Sequence, residues 1–324
     1  MSVLVYTENW DGQFKKLSFE LVSYAQTIAS QLSTEVVALS IGTVNDDELN
    51  KLANYGADKI LKLDTPDYTE FNSQHYAKAI AEAAKKEQAN VCIFANNIRT
   101  RAVAPRVSIK LEAGFVSGCV ASPESTNPFI VTKKAYSGKA FARVQIKTEN
   151  KILSLNQNAF GITENAKTAQ IESFECATDS SKAKVIELKK NTGTMSVLDA
   201  EILVSGGRGL KKPENFTLLE EMSDILGATA TVACTKPVAD LEWRPHSEHV
   251  GQTGKVVAPN LYFAVGISGA IQHLAGITSS KIIVSVNTDK DAPMFEASDY
   301  GVIGDAMEVI PKLNQALKAF KENA

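Results

Sequence analysis

Short apolar runs that alternate with amphipathic stretches, twice over in one chain, constrain this sequence more than any other feature. In the first half, Ser2–Tyr6, Glu35–Ile41, Lys59–Leu63 and Val91–Ala95 read as strands, and the stretches near Phe14–Leu32, Asp46–Tyr55, Ser73–Glu87 and Thr100–Leu111 read as helices. This βαβα order predicts a parallel sheet covered by helices on both faces, with right-handed crossovers. After Gly114 the rhythm changes. Phe115–Ala121, Phe129–Tyr136, Ala140–Lys147 and Lys151–Leu155 are separated only by Gly, Pro, Asn and Ser turns, which predicts added antiparallel strands. The second half restores the alternation, with strands at Ala200–Ser205, Thr229–Ala233, Leu261–Gly266, Lys281–Val286 and Gly301–Ile303 and helices near Glu214–Leu226, Gly269–Ala275 and Asp305–Lys321. Between the halves, Ala159–Thr194 is polar and weakly periodic. The expected boundary falls near residue 192, dividing the chain into an N-terminal α/β domain, 1–192, and a C-terminal Rossmann-like α/β domain, 193–324.

The length of 324 residues suits two such domains, and 44% hydrophobic against 22% charged residues is enough apolar surface to fill two cores. Lys and Arg number 34 against 37 Asp and Glu, so the net charge of −3 gives no basis for binding nucleic acid. The opening MSVLVYTENWDG has no cationic or long apolar leader, and no later run is apolar enough to span a bilayer, so the expectation is a cytoplasmic protein not embedded in a membrane. Cys92, Cys119, Cys176 and Cys234 show no metal-ligand spacing. His246 and His249 in HSEH give two ligands at i,i+3 without a third, so no metal site is expected.

Ligands of open parallel sheets bind beyond the carboxyl ends of the strands, and in the second half nearly every strand stops there in small or polar residues. SGGRG, Ser205–Gly209, joins glycines that allow close backbone approach to Arg208, a planar cation suited to a phosphate or an aromatic face. The alternative is a glycine turn with a solvated Arg. VGQTG, Val250–Gly254, brackets the Gln252 amide and the Thr253 hydroxyl between two glycines, and a plain polar turn is the alternative. In GISGAIQH, Gly266–His273, Ser268 and Gly269 form the turn that opens a helix whose free N–H groups suit a pyrophosphate. His273, about one turn further on, is placed to donate to a carbonyl of a bound ring or to be a satisfied structural residue.

These pieces, in this order, resemble the alpha subunit of the electron transfer flavoproteins, a family that includes nitrogen-fixation-linked members. The resemblance rests on VGQTGKVVAPNLYFAVGISGAIQHLAG, on SKIIVSVNTDKDAPMFEASDYGVIGD and on SGGRGLKKPENF, covering about residues 200–310; the first half matches in element order and in fragments such as APRVSIKLEAG. It implies one noncovalent FAD in the C-terminal domain, an N-terminal domain that packs with a beta subunit, and AMP in that beta subunit. It implies a redox carrier without substrate turnover of its own, fed by flavin dehydrogenases such as acyl-CoA dehydrogenases and discharged to a quinone oxidoreductase, with a bifurcating member as the variant within the family. Carried over by motif position, Arg208 would lie near the flavin ring. Val250, Gly251, Gln252 and Thr253 would serve the ring's polar edge. Ser268, Gly269, Ala270, Ile271, Gln272 and His273 would serve the pyrophosphate and O2 side, Asn287 the adenosine diphosphate portion, and Asp305 with Ala306 the adenosine end. Where the family commonly has a Ser-Arg pair after the second strand of this domain, this chain has Thr235 and Lys236, which keeps the hydroxyl and the charge but loses the planar fork. The competing readings are an NAD(P)-dependent dehydrogenase, for which no GxGxxG opens a strand-helix unit, and a nonredox nucleotide-binding protein.

Overall fold

The computed structural model describes residues 1–179, 183, 185–188 and 195–322. It forms two compact units, Met1–Leu188 and Lys189–Ala324, and the boundary expected near residue 192 lies outside the described residues.

The first unit runs β1 (Ser2–Thr7), β2 (Asn9–Trp10), β3 (Gln13–Phe14), α1 (Lys16–Leu32), β4 (Glu35–Ile41), α2 (Asp46–Asn50), β5 (Lys59–Leu63), α3 (Ser73–Lys86), β6 (Ala89–Ala95), α4 (Ile98–Leu111), β7 (Gly114–Cys119), β8 (Ser125–Thr126), β9 (Phe129–Ala135), β10 (Ala140–Ile146), β11 (Lys151–Leu155) and β12 (Gln170–Ser173). Period-two alternation in β1 builds both faces: Val3 and Val5 join Leu21, Ala25 and Ile28 of α1 in one core, and Leu4 and Tyr6 join Tyr76, Ala77 and Ile80 of α3 in the other. Asn72 and Asn97 cap α3 and α4, their side-chain oxygens accepting from Gln74 N and Thr100 N, both at 2.9 Å.

The sheet order is β10-β9-β7-β11-β6-β1-β4-β5-β12, which corrects the expectation of a wholly antiparallel insertion. β9 and β10 are antiparallel, but β11 lies parallel between β6 and β7, with Ile152 opposite both Cys92 and Phe115. Ile152, Leu153, Ser154 and Leu155 are all buried, so β11 needs cover on both faces and enters the sheet rather than extending a hairpin. The segment containing β8, β9 and β10 is then the connection from β7 to β11. The polar stretch after Ala159 also contains a strand the sequence reading missed. β12 pairs in parallel with β5, its Glu172 ion-paired to Lys59 at 2.7 Å and to Lys86.

The second unit runs β13 (Ile202–Gly206), α5 (Thr217–Leu226), β14 (Ala230–Cys234), α6 (Lys236–Asp240), β15 (Leu261–Val265), α7 (Ile271–Ile277), β16 (Ile282–Asn287), α8 (Pro293–Glu296), β17 (Tyr300–Ile303) and α9 (Ala306–Glu322). Its five strands are all parallel in the order β14-β13-β15-β16-β17. Phe216, Leu219 and Met222 with Ile310 of α9 cover one face, and Tyr262, Ala264 and Ile277 lie in the core of the other. The chain leaves β13 for β14 on one side and then crosses to β15 on the other. The strand order therefore reverses beside β13, and the crevice of such a sheet opens at the carboxyl ends of β13 and β15.

Candidate functional site

SGGRG follows β13 and GISGAIQH follows β15, so the two segments meet at the reversal point. They touch backbone to backbone. Gly207 N donates to Val265 O at 2.9 Å and Gly209 N to Gly266 O at 3.0 Å. A Cβ on Gly207 would stand 2.2 Å from Gly266 O, and one on Gly209 would stand 2.6 Å from Gly266 Cα. These glycines therefore serve the approach of one loop to another, where the sequence reading had assigned them to the approach of a ligand.

The VGQTG turn closes on the same region. Gln252 N donates to Gln272 O at 2.7 Å, and a Cβ on Gly276 would lie 2.5 Å from the Gly251 Cα, so the turn rests directly on α7. From β16, the Asn287 amide donates to Ile267 O at 2.9 Å and fixes the start of the β15–α7 loop. Gly269 takes φ +88 and has Met294 N where a Cβ would be, at 2.3 Å, while Met294 N donates to Ser268 O at 3.1 Å. At the far side Asp305 accepts from Lys211 Nζ at 2.6 Å and from Met307 N at 2.9 Å; the Lys211 bond first, then the Met307 N–H, hold its carboxyl below the usual range. Three loops and the ends of β16 and β17 are thus joined by hydrogen bonds along one edge.

What this edge presents is specific. Arg208, Gln252, Thr253, Ser268, Ala270, Ile271 and Gln272 are exposed, Asn287 and Asp305 are half-buried, and Val250, Gly251, Gly269 and Ala306 are buried. The Arg208 guanidinium has no partner among the described residues. Ala270, at the N-cap of α7, supplies no side-chain acceptor; His273 N donates to Ala270 O at 2.8 Å, and the Ile271 and Gln272 N–H groups are left for another acceptor. A planar cation, two hydroxyls, two amides and uncapped backbone donors suit an anionic dinucleotide carrying a flat heteroaromatic ring, so this donor set fits FAD.

Two expected residues are placed differently. Lys236 forms an exposed pair with Asp240, at 2.7 and 3.0 Å, so its charge is largely offset one helical turn away; Thr235 beside it is buried at the start of α6. His273 is buried with both ring nitrogens engaged, Nδ1 3.1 Å from Val250 O and Nε2 3.0 Å from the Tyr262 hydroxyl. A carbonyl only accepts, so Nδ1 carries the hydrogen, and in the neutral ring Nε2 accepts from the Tyr262 hydroxyl. Burial pushes its pKa down to about 4. Of the two alternatives open for His273, a donor to a bound ring or a satisfied structural residue, its contacts are those of the second: α7 begins at Ile271 and the ring meets Tyr262 of β15. Tyr262, fully buried, was read only as part of a strand; its hydroxyl among apolar neighbours is the signal that it needed a partner.

The comparisons agree with this division. The model of the electron transfer flavoprotein domain matches residues 3–179, and that of the electron transfer flavoprotein FAD-binding domain matches residues 196–278. The chain is 33% identical to the electron transfer flavoprotein subunit alpha of Bacillus subtilis, over 98% of this chain and 97% of that protein. It is 32% identical to protein FixB of Clostridium saccharobutylicum, over 96% and 94% of the two. It is 29% identical to a subunit of Acetobacterium woodii named for lactate dehydrogenase (NAD(+),ferredoxin), over 99% of this chain and 78% of that protein. This chain belongs to the electron transfer flavoprotein family as an alpha subunit, and its C-terminal unit is the FAD-binding one.

Proposed function

We propose that this chain is the FAD-holding half of a cytoplasmic heterodimer that carries electrons between proteins without turning over a substrate of its own. The observation that carries the reading is the joined edge of the second unit, where the unpaired Arg208, the Gln252–Thr253 turn and the uncapped start of α7 meet at the strand-order reversal. FAD, when bound, supplies the redox chemistry, and the protein supplies position and charge. Arg208 holds a positive charge beside the ring, favouring the reduced state. Val250 and Gly251 contribute backbone, and Gln252 and Thr253 contribute polar side chains to its edge. Ser268 to Gln272 present N–H groups to the pyrophosphate, Asn287 faces the diphosphate portion, and Asp305 with Ala306 borders the adenosine. The His273 ring acts from below by supporting the Val250 carbonyl, and Thr235 with Lys236 borders the site more remotely.

The partner in this reading is an electron transfer flavoprotein beta subunit holding AMP, the donors are flavin dehydrogenases such as acyl-CoA dehydrogenases, and the acceptor is a quinone oxidoreductase. That relatives are named as subunits, one of them as an electron transfer subunit, supports a partner chain. Among the described residues no helix is long and apolar enough to cross a membrane. The test is the visible spectrum of the chain co-purified with its beta-type partner. A yellow complex with about one FAD per alpha chain is expected. A colourless complex that binds NAD or ATP would overturn the reading, and a second flavin in the partner would place the complex among the bifurcating members.

A further inference from the structure

His249 immediately precedes the VGQTG turn and is used by none of the contacts above. Val250 N donates to Cys234 O at 2.9 Å, which pins this segment to the end of β14, and Lys255 N donates to His249 O at 2.9 Å, which closes the turn. The imidazole lies within that closure. A Cβ on Gly254 would stand 2.7 Å from its Nδ1, and one on Gly251 would stand 3.4 Å from its Nε2, so the ring is in contact range of both glycines that bracket Gln252 and Thr253. The residue is only 7% exposed, and neither ring nitrogen has a hydrogen-bond partner among the described residues. The contrast with His273 is informative. Protonating His273 requires the Tyr262 hydroxyl to turn and accept, whereas protonating His249 disturbs no hydrogen bond among the described residues.

The charges around His249 come from each element packed near it: Lys236 and Asp240 on α6, His246 in the short turn His246–Glu248, and the neutral His273 on α7. Burial first, then Lys236, hold the imidazole below its ordinary range; Asp240 opposes them and His246 adds to them. It is therefore neutral near pH 7, and a negative charge developing nearby raises its proton affinity.

We propose that His249 takes up a proton when the flavin beside the Val250–Gly254 turn is reduced, so that electron arrival and proton uptake are coupled in this subunit. The balance is one electron from the donor protein to the flavin and one proton from solvent to a ring nitrogen of His249: an N–H bond forms as an O–H bond of hydronium breaks, leaving water. This rests on the reading that the turn borders the flavin ring. Coupling is reciprocal: reduction raises the proton affinity of His249 by the factor by which its protonation favours reduction. The midpoint potential then falls with rising pH between the pKa of His249 in the oxidised protein and its higher value in the reduced protein, and this contribution is flat outside that window. A tenfold coupling corresponds to about 59 mV for one electron.

The experiment uses the FAD-loaded complex. The imidazole Cε1–H resonance of His249, assigned by comparison with His249→Gln, is titrated in the oxidised and the dithionite-reduced protein, and midpoint potentials are measured across the same pH range. Expected are a pKa that rises on reduction, by threefold or more in proton affinity, and loss of the matching pH-dependent step in His249→Gln. A His249 pKa unchanged by reduction overturns the proposal; should His249→Gln fold poorly, the resonance is assigned instead by elimination, from single variants of His75, His246 and His273, and the titration is still made on the natural chain. Thr253→Val in the same complex separates the two levels. If it alters FAD retention or the flavin absorption, the turn borders the ring and any failure is that of proton coupling alone. If it leaves both unchanged, the ring lies elsewhere and the placement falls together with the proposal.

Discussion

Neutral His273 and unpaired Arg208 do different work with the same nominal chemistry. An exposed imidazole titrates near 6.5, whereas burial pushes His273 down to about 4. Between these values the unfolded chain binds a proton that the folded unit does not. Stability from this residue is therefore fully present above about pH 6.5 and is lost as pH falls toward about 4, by roughly 3 kcal/mol at 1.36 kcal/mol per pH unit. Denaturant titrations followed by Trp243 fluorescence at pH 7 and near pH 4.5 should show this loss in the natural chain and a smaller one in His273→Gln. Equal acid sensitivity in both would remove the neutral, buried assignment. Arg208 is exposed and has no side-chain partner among the described residues, so Arg208→Ala should leave the unfolding midpoint unchanged while lowering the FAD midpoint potential by tens of mV, up to about 59 mV for a tenfold effect. Equilibrium redox titration decides this, and an unchanged potential would place the guanidinium away from the ring.

At the scale of elements, the site depends on how loops pack on one another. Gly207→Ala puts a Cβ 2.2 Å from Gly266 O, and Gly269→Ala puts one 2.3 Å from Met294 N at φ +88. Neither neighbour is a flexible side-chain end, so each variant should cost about 1–3 kcal/mol as the loops are forced apart. In the proposed reading FAD should also be lost more readily on gel filtration, because separated loops would no longer present their donors together. Ser268→Pro tests a different part of the same element: it removes one backbone donor before α7 and should weaken FAD retention, whereas unchanged retention would exclude the helix start from the pyrophosphate site. In the first unit the corresponding lesson is β11. Its local pattern reads as a strand, but its partners β6 and β7 are set by the need to bury both faces, a property no adjacent pair of segments shows alone.

At the scale of the whole molecule, each unit has its own cores and its own tryptophan, Trp10 in the first and Trp243 in the second. FAD at about a hundredfold excess over its Kd should stabilise the second unit by about 2.7 kcal/mol. In a Trp10→Phe variant, Trp243 fluorescence should report a raised transition; no shift would mean that the ligand does not bind the folded second unit. The sequence by itself determined the two α/β units, most strand positions, the family and the order of the loops proposed to hold FAD, because apolar periodicity and glycine-rich turns are local and survive in the order of residues. β12 escaped notice because an edge strand of four residues, QIES, has too little apolar pattern to register and depends on ion pairs from Lys59 and Lys86. Only the tertiary structure decided that Gly207 and Gly209 meet Gly266, that Lys236 is paired with Asp240, and that His273 faces Tyr262 while the nearby His249 has no hydrogen-bond partner for either nitrogen among the described residues. The physical reason is that hydrogen bonding and burial depend on which distant segments share a volume: two histidines in neighbouring motifs read alike in sequence, and packing gives one a fixed neutral role and the other a free one.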